Sequence, residues 1–311
     1  MNFRRIQHFV AVAETGVLSK AAERLNIVQP ALSQSIRRLE EDLNAALAVR
    51  SRKGMELTEA GRKFLVSAHG IINQYNRARE DISTLARDPE GHVSVAMTAS
   101  ALNVLTLPLC RSLEDNYSNI DLTLDEGLAG NLLRGFESGA YDLVVSYMAT
   151  PSDSVRVEPL IEEDLFLTGR FNDGKDGEDI PFEELPNYSL IMPQQQHGIR
   201  QMVTDIARDR NIALQQSRVA AALNPTIDLV AAGQGFSLLP MSAIHNRLER
   251  RGILARRLIQ PRLSYTVSLS YPTHRPLTQA TLAIMSLIRK SVIKMHDEGK
   301  WVGKLLFEPS E

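Results

Sequence analysis

A short polar and basic face runs along a predicted helix near the N-terminus. The apolar residues at helical spacing are Leu32, Ile36, Leu39 and Leu43. The opposite face carries Ser33, Gln34, Arg37 and Arg38. Hydroxyl and amide side chains can read base edges, while arginine neutralises phosphate. The pattern indicates a DNA recognition helix, and the alternative is the solvated face of an ordinary helical pair.

A second short helix must hold this face in place. Ser19 is a predicted N-cap of that helix, because its hydroxyl can accept from a first-turn amide. Asn26 tolerates the left-handed conformation that ends a helix. Pro30, next to Gln29, suits the first turn of the following helix. Residues 18–43 therefore predict a helix-turn-helix, preceded by a helix over 3–15 that ends at Gly16.

A basic loop follows the helix pair. Residues 45–57 predict a small wing in which Arg50, Arg52 and Lys53 surround a turn at Gly54. Charge at a loop tip usually serves solubility. Beside a recognition helix, phosphate or minor-groove contact is the better interpretation.

Residues 3–62 resemble the winged helix-turn-helix of LysR-type transcriptional regulators. The matching string is FRRIQHFVAVAETGVLSKAAERLNIVQPALSQSIRRLEEDLNAALAVRSRKGMELTEAG. The sequence departs from the family pattern at Asn44, where glycine is usual, at Ala48, where phenylalanine is usual, and at Gln34, where arginine is frequent. The DNA-contacting residues expected from the pattern and the resemblance are Ser19, Gln29, Pro30, Ser33, Gln34, Arg37, Arg50, Arg52 and Lys53.

A long helix is predicted from Thr58, its N-cap, to about Asp88. Its apolar residues follow a heptad pattern: Phe64, Ala68, Ile71, Tyr75, Ala78, Ile82 and Leu85. Such a stripe predicts a helix pair between two chains. The alternative is a helix packed on its own chain. The resemblance also implies a homodimer through this helix, with pairing of dimers into tetramers left open.

Strands alternate with helices after the break at residues 88–91, which predicts a parallel sheet with helices on both faces. The pattern resembles the effector-binding half of the same family, which is similar to periplasmic solute-binding proteins. The predicted fold is therefore an all-α winged helix-turn-helix with a linker helix, followed by an α/β two-lobed domain. The expected divisions are 1–58, 59–88 and 89–311. Within residues 89–311, lobe one covers 91–162 and 269–295, lobe two covers 163–268, and a tail covers 297–311.

A ligand is expected at the carboxyl ends of the strands, between the lobes. The candidate effector-binding residues are Ser100, Asn103, Leu128, Ser146, Gln194, Gln196, His197 and Asn224. Ser100 can also serve as an N-cap. His197 has no second ligand at metal spacing, so neither a metal nor a cofactor is expected. Arg200 can pair with a carboxylate effector or be solvated.

The tail after residue 297 has no counterpart in the family pattern. Its apolar residues, Trp301 to Phe307, predict a short amphipathic helix or a disordered extension.

Charge distribution agrees with a DNA-binding head. Residues 1–88 hold 14 Lys+Arg and 10 Asp+Glu, while the remainder holds 21 and 27. Cys110 is the single cysteine, so no internal disulfide can form. Neither a signal peptide nor an apolar membrane-spanning run is seen, and together these features predict a cytoplasmic protein.

The expected function is a DNA-binding transcriptional regulator controlled by a small-molecule effector, with a carboxylate weakly favoured. The alternatives are a solute-binding protein, or an enzyme with an accessory head. No catalytic motif such as G-x-S-x-G or H-E-x-x-H supports an enzyme.

Overall fold

The computed structural model describes residues 2–51, 54–83, 89–147, 149, 151–171, 178–194, 198–220, 222–248, 252–273 and 276–308. No helix in these ranges is both long enough and apolar enough to cross a membrane.

Three helices and a two-stranded wing form the N-terminal head. Its elements are α1 Phe3–Thr15, α2 Leu18–Arg24, α3 Gln29–Leu43, β1 Ala48–Ser51 and β2 Gly54–Leu57. Leu32, Ile36 and Leu39 of α3 are buried against α1 and α2, as the apolar spacing predicts. Asn26 and Asn44 adopt φ values of 52° and 49°, which confirms that both tolerate the left-handed conformation.

The predicted N-cap at Ser19 is wrong. Helix α2 begins at Leu18, with Val17 as the N-cap residue. The helix starts two residues earlier than predicted, and its first residue, Leu18, is buried in the head core. Ser19 therefore lies within the first turn, where its side chain is exposed.

A long helix, α4 (Glu59–Ser83), follows the wing. Thr58 caps it as predicted, since its Oγ1 accepts from the N–H of Gly61 at 2.9 Å. The same hydroxyl donates to the carbonyl of Ala46 at 2.7 Å and so ties the helix start to the wing.

The first half of the heptad stripe covers the chain's own head, so the predicted two-chain seam is wrong there. The ring of Phe64 lies 5.3 Å from that of Phe9. Ala68 is fully buried, and Ile71 packs on the same core. The ring of Tyr75 lies 4.2 Å from that of Phe3. Further along the stripe, the side chains of residues 78 and 82 and all of residue 85 lie outside the described set.

The C-terminal half alternates strands and helices. Its first elements are β3 Gly91–Met97, α5 Ala99–Asn116, β4 Ile120–Glu126, α6 Ala129–Glu137, β5 Leu143–Tyr147 and β6 Val155–Gly169. The next are β7 Ile180–Pro181, a 3-10 helix Phe182–Asn187, β8 Leu190–Met192, α7 Gly198–Asp209, β9 Gln216–Val219 and α8 Leu223–Ala231. The last are β10 Ser237–Pro240, α9 Met241–Ile244, β11 Leu254–Ile259, β12 Ser264–Pro272, α10 Gln279–Asp297 and β13 Gly303–Leu305.

The main sheet is mixed, which corrects the expectation of a parallel sheet. Among the described residues its order is β4-β3-β5-β12-β6-β11-β7, with β10 and β13 also paired to β6. Strand β3 is parallel to β4 and β5, whereas β12 is antiparallel to β5 and β6. Both β6 and β12 are long enough to belong to two cores. Leu160 of β6 packs in one core and Leu167 in the other, so these strands connect the two lobes.

The tail forms a strand, so the prediction of an amphipathic helix or a disordered extension is wrong. Strand β13 pairs antiparallel with residues 161–163 of β6. Trp301, just before it, is fully buried in the core of the first lobe. Pairing is possible because residue 303 is glycine: a Cβ there would lie 2.2 Å from the carbonyl oxygen of Glu162.

Candidate nucleic-acid interface and ligand cavity

The outer face of α3 is polar and open to solvent. Gln29, Pro30, Gln34 and Arg37 are exposed, and Ser33 is half-buried. Pro30 lies in the first turn of α3, as predicted. These side chains make no hydrogen bond with another described residue, which leaves their polar groups available to a partner.

Three acidic side chains of the head have partners other than Arg37. Arg5 pairs with Asp42 and Arg24 pairs with Glu14, each at 2.7 Å. Glu40 Oε1 accepts from the backbone N–H of Leu47 at 2.8 Å at the base of the wing. The cationic side chain of Arg37, in the middle of α3, has no ion pair among the described residues.

A cavity of about 360 Å³ lies between the two lobes, within the size range of small-molecule sites. Its wall from the first lobe consists of Thr98, Ala99, Ser100, Glu126, Gly127, Leu128, Ala129, Asn131 and Tyr147. Its wall from the second lobe consists of Pro193, Ile199, Ala220, Ala222, Leu223, Thr226, Ser237, Leu238, Leu239, Pro240 and Ala243.

Four helices begin at this cavity. A residue at the start of each helix lies in the cavity wall: the N-caps Thr98 of α5, Leu128 of α6 and Ala222 of α8, and Ile199, the second residue of α7. First-turn amides of a helix have no partner within the helix, and they carry a positive partial charge. The cavity therefore favours a negatively charged group.

The hydroxyl of Thr98 adds a polar group to the wall of the cavity. Thr98 is 5% exposed, and its Oγ1 has no hydrogen-bond partner among the described residues. A buried polar group without a partner costs free energy. A bound ligand could supply the missing partner beside the start of α5.

Buried ionisable groups lie beneath the cavity. Burial raises the pKa of Glu163 to about 7, against the opposing effect of Ser242, Tyr265 and Trp301 nearby. Tyr265 donates its hydroxyl to Glu163 Oε2 at 2.8 Å. Burial raises the pKa of Tyr147 to about 12, so the phenol in the wall stays neutral.

Comparison with known proteins identifies the family. Residues 3–62 match the family described as "Bacterial regulatory helix-turn-helix protein, lysR family", and residues 86–292 match the "LysR substrate binding domain". The chain belongs to the LysR family of bacterial transcription regulators.

Full-length relatives agree with this assignment. The nitrogen assimilation regulatory protein nac of Escherichia coli K12 is 28% identical over 289 residues, covering 93% of this chain and 94% of the relative. The crystal structure of CbnR, a LysR family transcriptional regulator, matches with a TM-score of 0.69 at 23% identity, covering 94% of this chain and 99% of CbnR. Full-length CbnR complexed with its target DNA matches with a TM-score of 0.56 at 25% identity, over 94% and 100%.

This LysR-type regulator thus carries a DNA-binding head and an effector-binding domain, and the family consists of transcription regulators rather than enzymes. Within the head, Arg50 lies in β1 with its side chain outside the described set, and Arg52 and Lys53 lie outside the described residues.

Of the predicted effector-binding residues, Ser100 and Leu128 line the cavity. Asn103 and Asn224 instead line a neighbouring cavity of about 480 Å³. Asn103 also donates to the carbonyl of Ser242 at 2.8 Å and so joins the two lobes. Asn103 therefore joins the two lobes in addition to lining the neighbouring cavity.

Two of the remaining predicted residues, Ser146 and Gln194, do not line the cavity. Ser146 is fully buried in β5, opposite Ser268 of β12, and the next residue, Tyr147, lines the cavity instead. Gln194 is exposed beside Pro193. Gln196 and His197 lie outside the described residues.

Arg200 holds the loop at Pro193 in place through hydrogen bonds. Its guanidinium donates to the carbonyl of Pro193 and to Gln216 Oε1, each at 2.8 Å. Neither interpretation made from the sequence, effector pairing or free solvation, describes this geometry.

Several wall residues were missed because little in the sequence marks them. Thr226 and Ser237 come from α8 and β10 of the second lobe. Their hydroxyls already donate to the carbonyls of Ala222 and Ile191. A useful signal was available in the first lobe: Thr98 directly follows strand β3, and Glu126 ends strand β4.

Proposed function

We propose that this LysR-type regulator acts as a homodimer on double-stranded DNA in the cytoplasm, under control of a small organic anion. In this proposal residues 1–58 bind DNA, residues 59–88 join the two chains, and residues 89–311 bind the effector. Ser33, Gln34 and Gln29 read base edges, and Arg37 contacts phosphate.

The observation that carries the effector class is the start of α5, α6, α7 and α8 at one cavity. Their free amides and the unpartnered hydroxyl of Thr98 suit a carboxylate or a similar anion. Glu126 also lies in the wall, where it would repel a second negative charge. The favoured effector is therefore a monoanion whose apolar part packs on residues such as Leu128 and Leu223.

The dimer is supported by the apolar heptad stripe, which continues through Ala78 and Ile82 beyond the part covered by the head. Two heads related by a two-fold axis would read an inverted repeat.

A thermal-shift screen of the purified full chain tests the effector class. The screen uses a few hundred metabolites, with neutral and cationic analogues matched in size to each monocarboxylate. We expect the stabilising compounds to be monoanions, and we expect them to change the gel shift of DNA from upstream of the chain's own gene. The Thr98→Val variant, which removes only the hydroxyl, should weaken the stabilisation, whereas Thr123→Val on the exposed part of β4 should not.

Each outcome bears on a different part of the proposal. Hits confined to neutral or cationic compounds would contradict the effector class while leaving DNA binding intact. A chain that binds no DNA in preference to random sequence would contradict its role as a regulator, whatever the screen finds.

A further inference from the structure

Helix α6 has one end at the effector cavity and the other at the linker helix. Leu128 and Ala129, at its N-terminal end, line the cavity. The turn after its C-terminal end, residues 138–140, contacts α4. A helix of this length spans roughly 13 Å. The helix therefore links a ligand site directly to the element that carries the DNA-binding head.

The contact with α4 centres on a buried asparagine. Asn73 is 7% exposed, and its Nδ2 donates to the carbonyl of Ala140 at 2.5 Å and lies 3.3 Å from Ser94 Oγ. One turn earlier, Gly70 lets the two backbones approach: a Cβ there would lie 2.2 Å from the carbonyl oxygen of Ser138. Both residues are needed for this close approach.

The turn is fixed to α6, so the two must move together. The N–H of Ala140 donates to the carbonyl of Gly135, and the N–H of Gly139 donates to that of Phe136, both at 2.9 Å. Ser138 Oγ also donates to the carbonyl of Gly135 at 2.8 Å. A shift of α6 is therefore transmitted to the carbonyl that Asn73 contacts.

The other side of the contact is anchored in the sheet. Asp142 Oδ2 accepts from both the N–H and the hydroxyl of Ser94, at 2.9 and 2.8 Å. The same Ser94 Oγ lies 3.3 Å from Asn73 Nδ2. Asn73 thus bonds both to the turn that follows α6 and to strand β3, and a displacement of one relative to the other changes its hydrogen bonds.

We propose that α6 couples the effector cavity to the DNA-binding head, with Asn73 as the positioning residue that joins them. The inference rests on the proposed function, because it assigns the route by which a bound anion acts on the head. An effector that binds better to one position of α6 biases the linker toward the matching arrangement. Such coupling is reciprocal, so DNA bound to the heads must also act on α6.

Reciprocity allows a test without the effector. The probe is a DNA duplex enriched from a random-sequence pool by the full-length protein. Hydrogen exchange of the amides of residues 129–140 is measured with and without this duplex. We expect their exchange rates to change by at least about fivefold on DNA binding, the lower end of ordinary allosteric coupling.

Two variants interrupt the contact in different ways. Asn73→Ala removes both hydrogen bonds, and Gly70→Ala keeps the Asn73 side chain but places a methyl group that pushes the carbonyl of Ser138, and with it the turn, away from α4. Alanine favours helix at residue 70, so loss of the helix would not explain an effect of this variant. The matched control is Gln74→Ala, which changes an exposed neighbour on the same helix.

The expected result is a DNA-dependent change at residues 129–140 in the wild type and in Gln74→Ala, and its loss in Asn73→Ala and Gly70→Ala. An equal change in all four proteins would overturn the inference, as would a wild-type chain that binds the duplex with no change in α6. Failure to enrich any duplex would contradict the proposed function itself, and the inference would fall with it.

Discussion

Ser33 and Arg37 lie one helical turn apart on α3 and should contribute to DNA binding in different ways. Ser33→Ala removes a hydroxyl that can contact a base edge, so it should cost about 1–3 kcal/mol on the preferred duplex and almost nothing on random DNA. Arg37→Ala removes a phosphate contact, so it should weaken binding to both DNAs and reduce the slope of log K against log salt by about 1. Fluorescence anisotropy at several salt concentrations measures both effects. Equal losses on both DNAs for Ser33→Ala would contradict base reading.

Glu163 should make stability depend on pH. Its pKa is raised from 4.5 to about 7 in the folded chain, so between about pH 4.5 and 7 the folded state binds more protons than the unfolded state. Stability from this group therefore falls as pH rises through that window, by up to about 3 kcal/mol. In Glu163→Gln the fall should disappear, which would make the variant more stable than the wild type at pH 8.

Urea unfolding of the full chain at pH 5 and pH 8 measures this difference. The control is Glu162→Gln, which changes the neighbouring, half-buried carboxylate. A midpoint that changes with pH equally in Glu163→Gln and the wild type would show that Glu163 does not cause the dependence.

At the scale of elements, the local sequence predicted the helices and strands but not which parts of the protein pack against them. The spacing of Phe64, Ala68 and Ile71 correctly indicates an apolar stripe on α4. Periodicity describes one face of a helix and contains no information on whether the partner is another chain or the chain's own α1. Here the ring of Phe9 supplies the partner. The wall of the cavity was predictable only in part for a similar reason. Thr226 and Ser237 lie in it because of the way the second lobe packs.

The tail strand β13 illustrates the same limit. Trp301 to Phe307 contain no alternation strong enough to predict a strand, and the pairing partner, β6, lies about 140 residues earlier in the chain. Such a pairing depends on tertiary context rather than on intrinsic propensity. Gly303 was the available signal, because close backbone approach is one reason for glycine in a strand.

Trp301→Ala should destabilise the first lobe strongly. The side chain is fully buried, so its removal leaves a cavity and should cost about 3–5 kcal/mol. Leu306→Ala is the control, since Leu306 is 37% exposed and an ordinary surface change costs under about 0.5 kcal/mol. Thermal unfolding of both variants tests this. Matching midpoints for the two would contradict the placement of the tail in the lobe-one core.

At the scale of the whole molecule, the same helix must serve the head, the effector domain and a second chain. Residues 64–75 of α4 use one side for the head core, and Gly70 and Asn73 face the effector domain. Contact with a second chain is therefore expected from the stripe beyond Tyr75. Because the effector domain is held against the same helix, a change in the lobes and a change between chains cannot be independent.

Ala78→Asp and Ile82→Asp test the two-chain arrangement. A carboxylate in an apolar helix pair would have to be desolvated, which is costly without a paired charge. We expect both variants to halve the mass measured by light scattering and to lose the preference for an inverted repeat over a single half-site. Ser67→Asp, on an exposed position in the half of α4 that covers the head, should remain a dimer. Unchanged mass in both Ala78→Asp and Ile82→Asp would mean that the chains do not associate through α4, and that any paired reading of DNA must arise from another surface.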